Sequence, residues 1–389
     1  MEDYIHLHVH TNYSILDGQS KVTRLVDKAI ADGMKGMAIT DHGVMFGIKE
    51  FSDYCAKVNK ERKKNGEEPF KPIFGCEMYV ARRTMHDKDK SMHDNSGYHL
   101  IVLAKNYNGY KNLIKLVSHA WVDGYYYRPR TDRAELEKYH EDLIVCSACI
   151  AGEIPSKIIH GDIDGAREAC EWYHRVFGDD FYLELQRHEV KGPTILANRE
   201  AFPLQQKANK VLLQFAKEYG IKVDCTNDCH FEDKETAEAH DHLLCLATNE
   251  DLDDPKRMRY SKQEWFKSRQ EMNDVFSDIP EALTNTLEVL DKVEIYSIDH
   301  GPIMPFFPIP ESFGTEEIWR KRFSEQQLYD EFTTDENGEN QLSPEDGQAV
   351  IDRLGGYEKI YRIKFEADYL SKLAHDGAKK LYGDPIPED

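Results

Sequence analysis

The sequence has no long hydrophobic run, no excess of positive charge and no regular spacing of cysteines. None of its apolar stretches approaches the roughly 18 residues that a membrane-spanning helix needs. The net charge of −21 argues against a protein that binds nucleic acid through an overall positive field. Eight scattered cysteines do not suggest a disulfide framework, so they are expected to be thiols or metal ligands. The first residues lack the basic and apolar regions of a secretory signal, which predicts a cytoplasmic protein.

Three common catalytic motifs are also missing from the 389 residues. Glycine-rich phosphate loops of the Walker and dinucleotide-binding kinds are absent, and so is the G-x-S-x-G nucleophile motif. The remaining composition is that of a globular protein, with 40% hydrophobic and 31% charged residues. This length is enough for about two domains. The unusual feature is the 17 histidines, many of which stand beside carboxylates at the ends of predicted strands.

Short β-rich runs alternate with helical patterns over the first 225 residues. The predicted strands are 4–9, 34–40, 72–80, 99–104, 143–147, 181–185 and 221–225. The helical patterns between them are 21–31, 46–59, 107–120, 166–177 and 202–219. This alternation predicts parallel βαβ units, and seven strand candidates favour a closed barrel.

The pattern changes after about residue 250. Two further helices are predicted at 261–276 and 280–293, and four prolines follow within 302–310. Such a proline cluster is typical of a domain boundary. Beyond it, an acidic and turn-rich segment, 334–347, separates two helical stretches.

Histidines and other metal-binding residues occur on or after the predicted strands. His6, His8 and His10 share one face of the first strand, and two of them can bind one cation, with His6 expected to be a packing residue or a residue that supports a ligand. Further donors stand on or near other strands: Asp17, His42, Glu77, His99, Cys146, Cys149, Asp228 and His230. Because a parallel barrel gathers its strand ends on one face, these residues predict a cluster of two or three ions. Mixed nitrogen, oxygen and sulfur donors suit zinc, and carboxylate bridges also suit manganese or iron.

A structural zinc site is the competing interpretation of the cysteines. Cys146, Cys149, Cys225 and Cys229 could together hold one zinc ion. That site would leave the histidines unexplained, so the mixed cluster is favoured.

Several of these motifs together resemble the PHP (polymerase and histidinol phosphatase) domain. They are residues 8–11, 39–43, 75–77, 98–104, 147–149 and 226–231. More narrowly, HLHVHTNYSILDG at 6–18, NYNGYKNLIKLVS at 106–118, and DDPKRMRYS and FSDIPEALTNT within 253–286 resemble the family of bacterial DNA polymerase III alpha subunits. The resemblance covers about residues 4–312 and resumes at 368–383.

The resemblance implies an α/β fold, a distorted (β/α)7 TIM-like barrel followed by a small, mostly helical C-terminal extension. Residues 1–285 would form the metal-binding barrel. Residues 286–389 would form a connector and the start of the polymerase palm region, with an insertion at about 316–366. The nucleotide-binding and Asp-x-Asp motifs of the palm are absent, so this chain is not expected to polymerise by itself.

The resemblance also implies nine ligands for up to three ions: His8, His10, Glu77 and Asp228 for the first, His99 and Cys149 for a second that shares Glu77, and Asp17, His42 and His230 for the third. Cys146 competes with Cys149 for its place. Asp41, beside His42, is expected to orient an imidazole. Asp228, Glu77 and His10 are the expected catalytic residues, and magnesium joins zinc, manganese and iron as a candidate ion.

The implied function is a metal-dependent 3′ to 5′ proofreading exonuclease in DNA replication. Its partners would be the 3′ end of a primer-template, the remainder of the polymerase alpha subunit and replisome subunits such as the sliding clamp, with no membrane. Tyr13, or Tyr125–Tyr127 with Arg128 and Arg130, could stack on single-stranded ends. Two alternatives are a non-catalytic docking module for the polymerase and a separate exonuclease, and a small-molecule phosphomonoesterase. The motifs at 106–118 and 253–286 argue against the phosphomonoesterase.

Overall fold

The structure, a computed structural model, describes residues 1–191, 199–302, 307–334 and 342–386. These residues form two compact units, Met1–His300 and Gly301–Asp389. No helix in the described ranges is both long and apolar enough to cross a membrane.

The first unit is built around one mixed sheet. Within its described residues the strands are β1 (Gly36–Ile39), β2 (Lys71–Ala81), β3 (Gly97–Ala104), β4 (Arg130–Thr131), β5 (Leu143–Cys146), β6 (Phe181–Leu185) and β7 (Lys222–Cys225). Their order is β1-β2-β3-β5-β6-β7, and the short β4 pairs with β2. Strands β1, β5 and β6 are buried along their whole length, as expected of strands that are covered on both faces.

The N-terminal segment, residues 4–10, closes this sheet on itself. On one side the backbone N–H groups of Ala38 and Thr40 donate to the carbonyls of His6 and Val9, each at 2.8 Å. On the other side His10 N donates to Cys229 O at 2.8 Å. The N-terminal segment and the six strands of the main sheet therefore form the seven extended segments of the barrel wall. The predicted distorted (β/α)7 barrel is confirmed.

The prediction that all strands are parallel is wrong for β3. This strand runs antiparallel to both β2 and β5, whereas the other pairings are parallel. Residues 82–96 between β2 and β3 contain no α-helix to carry the chain back across the barrel, so β3 returns as in a hairpin. The reversal puts the beginning of β3, with His99, at the rim where the parallel strands end.

Helices cover the outside of the first unit. They are α1 (Val22–Ala31), α2 (Ile48–Lys64), α3 (Tyr107–Val122), α4 (Arg133–Lys138), α5 (Glu153–Ile159), α6 (Ile163–Phe177), α7 (Ala201–Tyr219), α8 (Ala237–Thr248), α9 (Arg269–Val275) and α10 (Pro280–Lys292). The predicted helix 261–276 is too long. Ser268 and Glu271 form a capping box that starts α9 at Arg269, and the preceding Trp265 makes a β-bridge to Phe231.

The compact unit extends beyond residue 285 because α10 packs against the barrel. Asn285 Nδ2 donates to Val223 O at 2.7 Å, and Glu294 N donates to Lys105 O at 2.7 Å. The assignment of residues 286–389 to a connector and the start of a palm region stays a prediction.

The second unit is helical, as predicted for the C-terminal extension. It contains α11 (Glu316–Arg322), α12 (Glu325–Thr333), α13 (Pro344–Leu354) and α14 (Gly356–Tyr382). Its apolar centre consists of Leu328, Ile351, Ile360 and Tyr361. Residues 335–341 of the acidic segment and Pro305 of the proline cluster lie outside the described residues.

Arg130 anchors the polar loop 82–96 to the barrel. The side chain is fully buried, and its guanidinium donates to four backbone carbonyls, those of Met85, Asp87, Asp94 and Gly124. These bonds occupy four of the five N–H donors of the buried Arg130, so it is not available to a nucleic acid as the sequence suggested. Arg128, two residues earlier, is exposed.

We expect Arg130→Lys to lower the free energy of unfolding by about 3 kcal/mol, because lysine cannot replace a forked donor and leaves buried carbonyls unpaired. Arg128→Lys is the matched control, with an expected change below about 0.5 kcal/mol. Urea unfolding followed by circular dichroism measures both. Equal effects of the two substitutions would show that Arg130 does not hold the loop.

Candidate metal centre

All nine predicted ligands lie at one rim of the barrel. They come from different elements: His8 and His10 from the N-terminal segment, Asp17 from the loop after it, His42 after β1, Glu77 on β2, His99 on β3, Cys149 after β5, and Asp228 and His230 after β7. His6 has another environment, where its Nε2 donates to Lys267 O at 2.8 Å and its Nδ1 lies 3.1 Å from the Tyr4 hydroxyl. The expected packing role of His6 is confirmed.

His8, His10 and Asp228 form the first group of converging donor atoms. The Nε2 atoms of His8 and His10 are 3.1 Å apart. Asp228 Oδ1 lies 3.1 Å from His8 Nε2 and 3.3 Å from His10 Nε2. One cation could therefore contact all three side chains.

The Glu77 carboxylate connects this first group to a second group of converging donors, which Glu77 forms with His42 and His99. Its Oε1 is 3.4 Å from His8 Nε2 and 2.8 Å from His99 Nδ1. Its Oε2 is 3.2 Å from His10 Nε2 and 2.7 Å from His42 Nδ1. A carboxylate in contact with four imidazoles is suited to bridge two ions.

Asp17 and His230 extend the cluster on the other side of His42. Asp17 Oδ2 is 2.9 Å from His42 Nε2 and 3.5 Å from His230 Nε2. His42 therefore presents one ring nitrogen to Glu77 and the other to Asp17. It can take part in either of two neighbouring sites.

The cysteines are distributed unevenly around the cluster. Cys149 Sγ lies 3.7 Å from His99 Nδ1, at the edge of the second group. Cys146 is buried on β5, and no cysteine belongs to a described group of three converging metal donors. The four-cysteine zinc site is thus not assembled in the described residues, and the geometry favours Cys149 over Cys146.

The cluster contains buried polar atoms that contact neighbouring side chains without forming a well-aligned hydrogen bond. They are His42 Nδ1, Glu77 Oε2 and Asp228 Oδ1. Buried polar atoms are normally satisfied, so three incompletely satisfied atoms in one cluster favour a bound ligand there. A divalent cation fits this donor set of imidazoles, carboxylates and a thiol.

Charges within the cluster compensate one another in the absence of a cation. Burial opposes charge on His8 and His42, but neighbouring carboxylates outweigh it and raise the pKa of both well above the usual value. For Glu77 burial is outweighed by His99, His42 and His8, which hold its pKa well below the usual value. Asp17 and Asp228 overcome the burial of His230 and raise its pKa to about 9. Protons on His8, His42 and His230 thus supply positive charge beside the carboxylates.

Glu184 holds the ring nitrogen of His8 that points away from the cluster, and this residue was not predicted. Its Oε1 accepts hydrogen bonds from His8 Nδ1 at 2.8 Å and from Gln186 Nε2 at 3.0 Å. This bond leaves His8 Nε2 free to face the cluster, as is usual for metal-binding histidines. A signal was present, because Glu184 is the one charged residue in the apolar strand FYLEL.

Ser14 and Asp41 support His10 in a similar way. Ser14 Oγ is 2.9 Å from His10 Nδ1, accepts from His42 N at 3.1 Å and donates to Asp41 Oδ1 at 2.8 Å. Asp41 also accepts from the Thr11 backbone at 2.7 Å. Asp41 is therefore connected to the His10 ring through Ser14, which sequence reasoning missed, and its orienting role stays a prediction.

Tyr260 and His240 are two further residues near the cluster that were not predicted. The Tyr260 hydroxyl lies 3.2 Å from His230 Nε2 and 3.3 Å from Asp17 Oδ1. His240 Nε2 donates to Asp17 O at 2.9 Å. Both residues come from the region after β7, where helix α8 and the RMRYS stretch face the N-terminal loop.

Comparison with known proteins identifies the family of the chain. The PHP domain family matches residues 6–188, so the chain carries a PHP domain. Individual relatives narrow the family further. The chain is 41% identical over 314 residues to DNA polymerase III subunit alpha of Borreliella burgdorferi, and the match covers 80% of this chain and 26% of that protein. The Treponema pallidum subunit is 35% identical over 331 residues, covering 85% of this chain and 26% of that one. The predicted resemblance is confirmed, and the chain spans about a quarter of these curated relatives.

Among solved structures, the fold resembles a two-domain protein from Bacteroides vulgatus that is described as containing a predicted PHP-like metal-dependent phosphoesterase. It is 12% identical, with a TM-score of 0.32, and covers 77% of this chain and 73% of its own. This likeness is too remote to bear on function.

We expect Glu184→Gln to weaken zinc binding by about 10- to 100-fold, because glutamine keeps an acceptor but loses the negative charge that holds His8. Glu153→Gln is the matched control, since Glu153 is also buried but pairs with Arg133 and Lys157. Competition with a chromophoric chelator measures both affinities. Equal losses would assign the effect to general destabilisation.

The metal-free chain should become less stable as the pH rises from about 6.5 to about 9. The raised pKa of His230, about 9 in the folded chain, contributes stability that is complete below its ordinary value near 6.5 and is lost through about 9. His8 and His42 act in the same direction. Thermal unfolding in EDTA measures the fall in Tm, which added zinc should reduce because it replaces the protons. His230→Asn should flatten the profile, and a Tm that rises over this range would contradict the account.

Proposed function

We propose that this chain is a metal-dependent phosphodiesterase that removes nucleotides from the 3′ end of DNA, as the proofreading activity of a replicative polymerase. The observation that carries the proposal is the clustering of nine potential metal ligands at one rim of the barrel. Seven of them belong to groups of converging donor atoms, and three buried atoms of the cluster lack a well-aligned hydrogen bond. Similarity to DNA polymerase III alpha subunits supports DNA as the substrate.

We assign the ligands as the family resemblance implies. His8, His10, Glu77 and Asp228 would hold one ion, with Glu77 shared by a second ion at His99 and Cys149. Asp17, His42 and His230 would hold a third. Zinc, manganese and iron fit these donors best, with magnesium as a further candidate.

Divalent cations in this cluster would acidify water and stabilise negative charge on a phosphate. The protein's own contribution is to orient the donors. Glu184 fixes the ring of His8, Ser14 fixes the ring of His10, and Glu77 keeps two groups of imidazoles at one carboxylate. Asp228, Glu77 and His10 surround the first group and are the proposed catalytic residues.

Cations would also resolve the conflict between a net charge of −21 and a polyanionic substrate. The cavity above the cluster has a volume of about 620 Å³ and is bordered by Asp17, His42 and His99. Arg128 is the one lysine or arginine among the described residues that line it. Positive charge at this site would therefore come mainly from bound ions.

We further propose that the chain works beside the polymerase region of a longer alpha subunit. Residues 1–285 would form the metal-binding domain, and residues 286–389 would lead towards the palm. DNA, the polymerase region and replisome subunits such as the sliding clamp would be its partners.

The test is an incubation of the chain with a 3′-mismatched primer-template and with single-stranded DNA, in zinc or manganese. We expect stepwise 3′ shortening that Asp228→Asn reduces by about 100-fold or more, since this substitution removes a charged ligand. Asp253→Asn, at an exposed aspartate outside the cluster, is the matched control and should keep the wild-type rate. Near-ultraviolet circular dichroism checks that both variants are folded.

Three results would contradict the proposal. Shortening that survives in Asp228→Asn would exclude this cluster as its source. No shortening by the wild-type chain in either metal would favour a docking module. Hydrolysis of p-nitrophenyl phosphate without DNA shortening would favour a phosphomonoesterase.

A further inference from the structure

Four exposed aromatic side chains, called here the aromatic wall, line the cavity above the metal centre. Phe46, Trp121, Tyr125 and Tyr127 all line it and are 60%, 43%, 48% and 57% exposed. Large aromatic residues are usually well buried, so four of them around one opening are unusual. Asp17, His42 and His99 of the cluster line the same cavity.

Trp121 and Tyr125 form a stacked pair within this wall. Their ring centroids are 5.5 Å apart and their planes differ by 18°. Trp121 Nε1 donates to Gly43 O at 2.8 Å, which fixes the indole beside the residue that follows His42. The pair is therefore a preformed stack of two rings, held at a set position next to the metal centre, to which a further planar group could be added.

The backbone around the cavity is strained at two large residues. Tyr127 has a φ of 63° and Leu16 a φ of 62°, both in the left-handed region that side chains disfavour. Both residues line the cavity and are exposed. Strain of this kind is concentrated at ligand-binding sites.

The chemistry of this wall favours a nucleobase. The only hydrogen-bond donor of the indole is already used by Gly43 O, so Trp121 can offer a ring face but cannot read the edge of a base. Arg128, also exposed, lies on the same cavity, with its guanidinium carbon 5.8 Å from the centroid of the Tyr79 ring. A stacked pair of aromatic rings beside one cation matches a base and its phosphate.

We propose that Trp121 and Tyr125 bind the terminal nucleobase of a single-stranded nucleic-acid end by stacking, while Arg128 contacts a neighbouring phosphate. This inference deepens the proposed function and rests on it for the choice of substrate. Because stacking does not depend on base edges, the surface accepts any base. A frayed 3′ end presents such an unpaired base, whereas a paired end keeps its base in the duplex.

The test uses the intrinsic fluorescence of Trp121. The other three tryptophans are buried, with 7%, 8% and 5% exposure for Trp172, Trp265 and Trp319. The full 389-residue chain in EDTA is titrated with a short oligothymidylate and with an abasic oligonucleotide of equal length. Because both carry the same phosphates, repulsion from the acidic protein cancels in the ratio of their affinities.

We expect oligothymidylate to quench the emission and to bind about tenfold more tightly than the abasic chain. Tyr125→Ala should weaken oligothymidylate binding about tenfold and leave the affinity for the abasic oligonucleotide unchanged. Tyr125→Phe should keep both affinities. Tyr107→Ala is the matched control, because Tyr107 is 43% exposed but does not line the cavity. Trp121→Phe should abolish the quenching signal.

Equal affinities for the two oligonucleotides, or oligothymidylate binding that is unchanged in Tyr125→Ala, would overturn the inference. The binding assay needs no metal and no hydrolysis, so its result is separate from that of the nuclease assay. Base-dependent binding without 3′ shortening would count against the proposed function alone. Shortening that proceeds equally well from normal and abasic 3′ ends would count against the stacking surface alone.

Discussion

The backbone hydrogen bonds that join the N-terminal segment to both ends of the sheet are the constraint on which the metal centre depends. This segment carries His8 and His10, and it lies between β1, which leads to His42, and the residues after β7, which include Asp228 and His230. Without this closure the donor groups would stand at opposite edges of an open sheet. Barrel closure is thus what turns separate histidines and carboxylates into one cluster.

The cluster is held together at an electrostatic cost that a cation would relieve. Glu77 touches four imidazoles, and Asp17 and Asp228 face His42, His8 and His230. Buried charges of this kind are stable only when they are paired and hydrogen-bonded. Protons on the imidazoles provide that pairing in the metal-free chain, and the atoms without hydrogen bonds mark where the pairing is incomplete. Metal binding, proton release and stability are therefore linked in this fold.

The sequence was sufficient for the barrel and for the identity of the converging residues, because each lies in a motif on or near a predicted strand. It was insufficient where an effect depends on tertiary contacts. The direction of β3 follows from a connection without an α-helix, and Glu184 and Ser14 matter only through the rings of His8 and His10. Helical periodicity at 261–268 was overridden by a β-bridge at Trp265 and a capping box at Ser268. The sequence suggested Tyr125 as a stacking residue but not its partner Trp121, which lies at the end of α3 and meets Tyr125 only in the folded chain.

The central claim is that these nine side chains bind divalent cations, and anomalous X-ray diffraction tests it most directly. Crystals of the chain grown with zinc should be measured on both sides of the zinc absorption edge. Two or three anomalous peaks are expected at this rim, with ligand distances of about 2.0–2.3 Å. They should lie among His8, His10, Asp17, His42, Glu77, His99, Cys149, Asp228 and His230. No peak at this rim, or a single peak among Cys146, Cys149, Cys225 and Cys229, would contradict it.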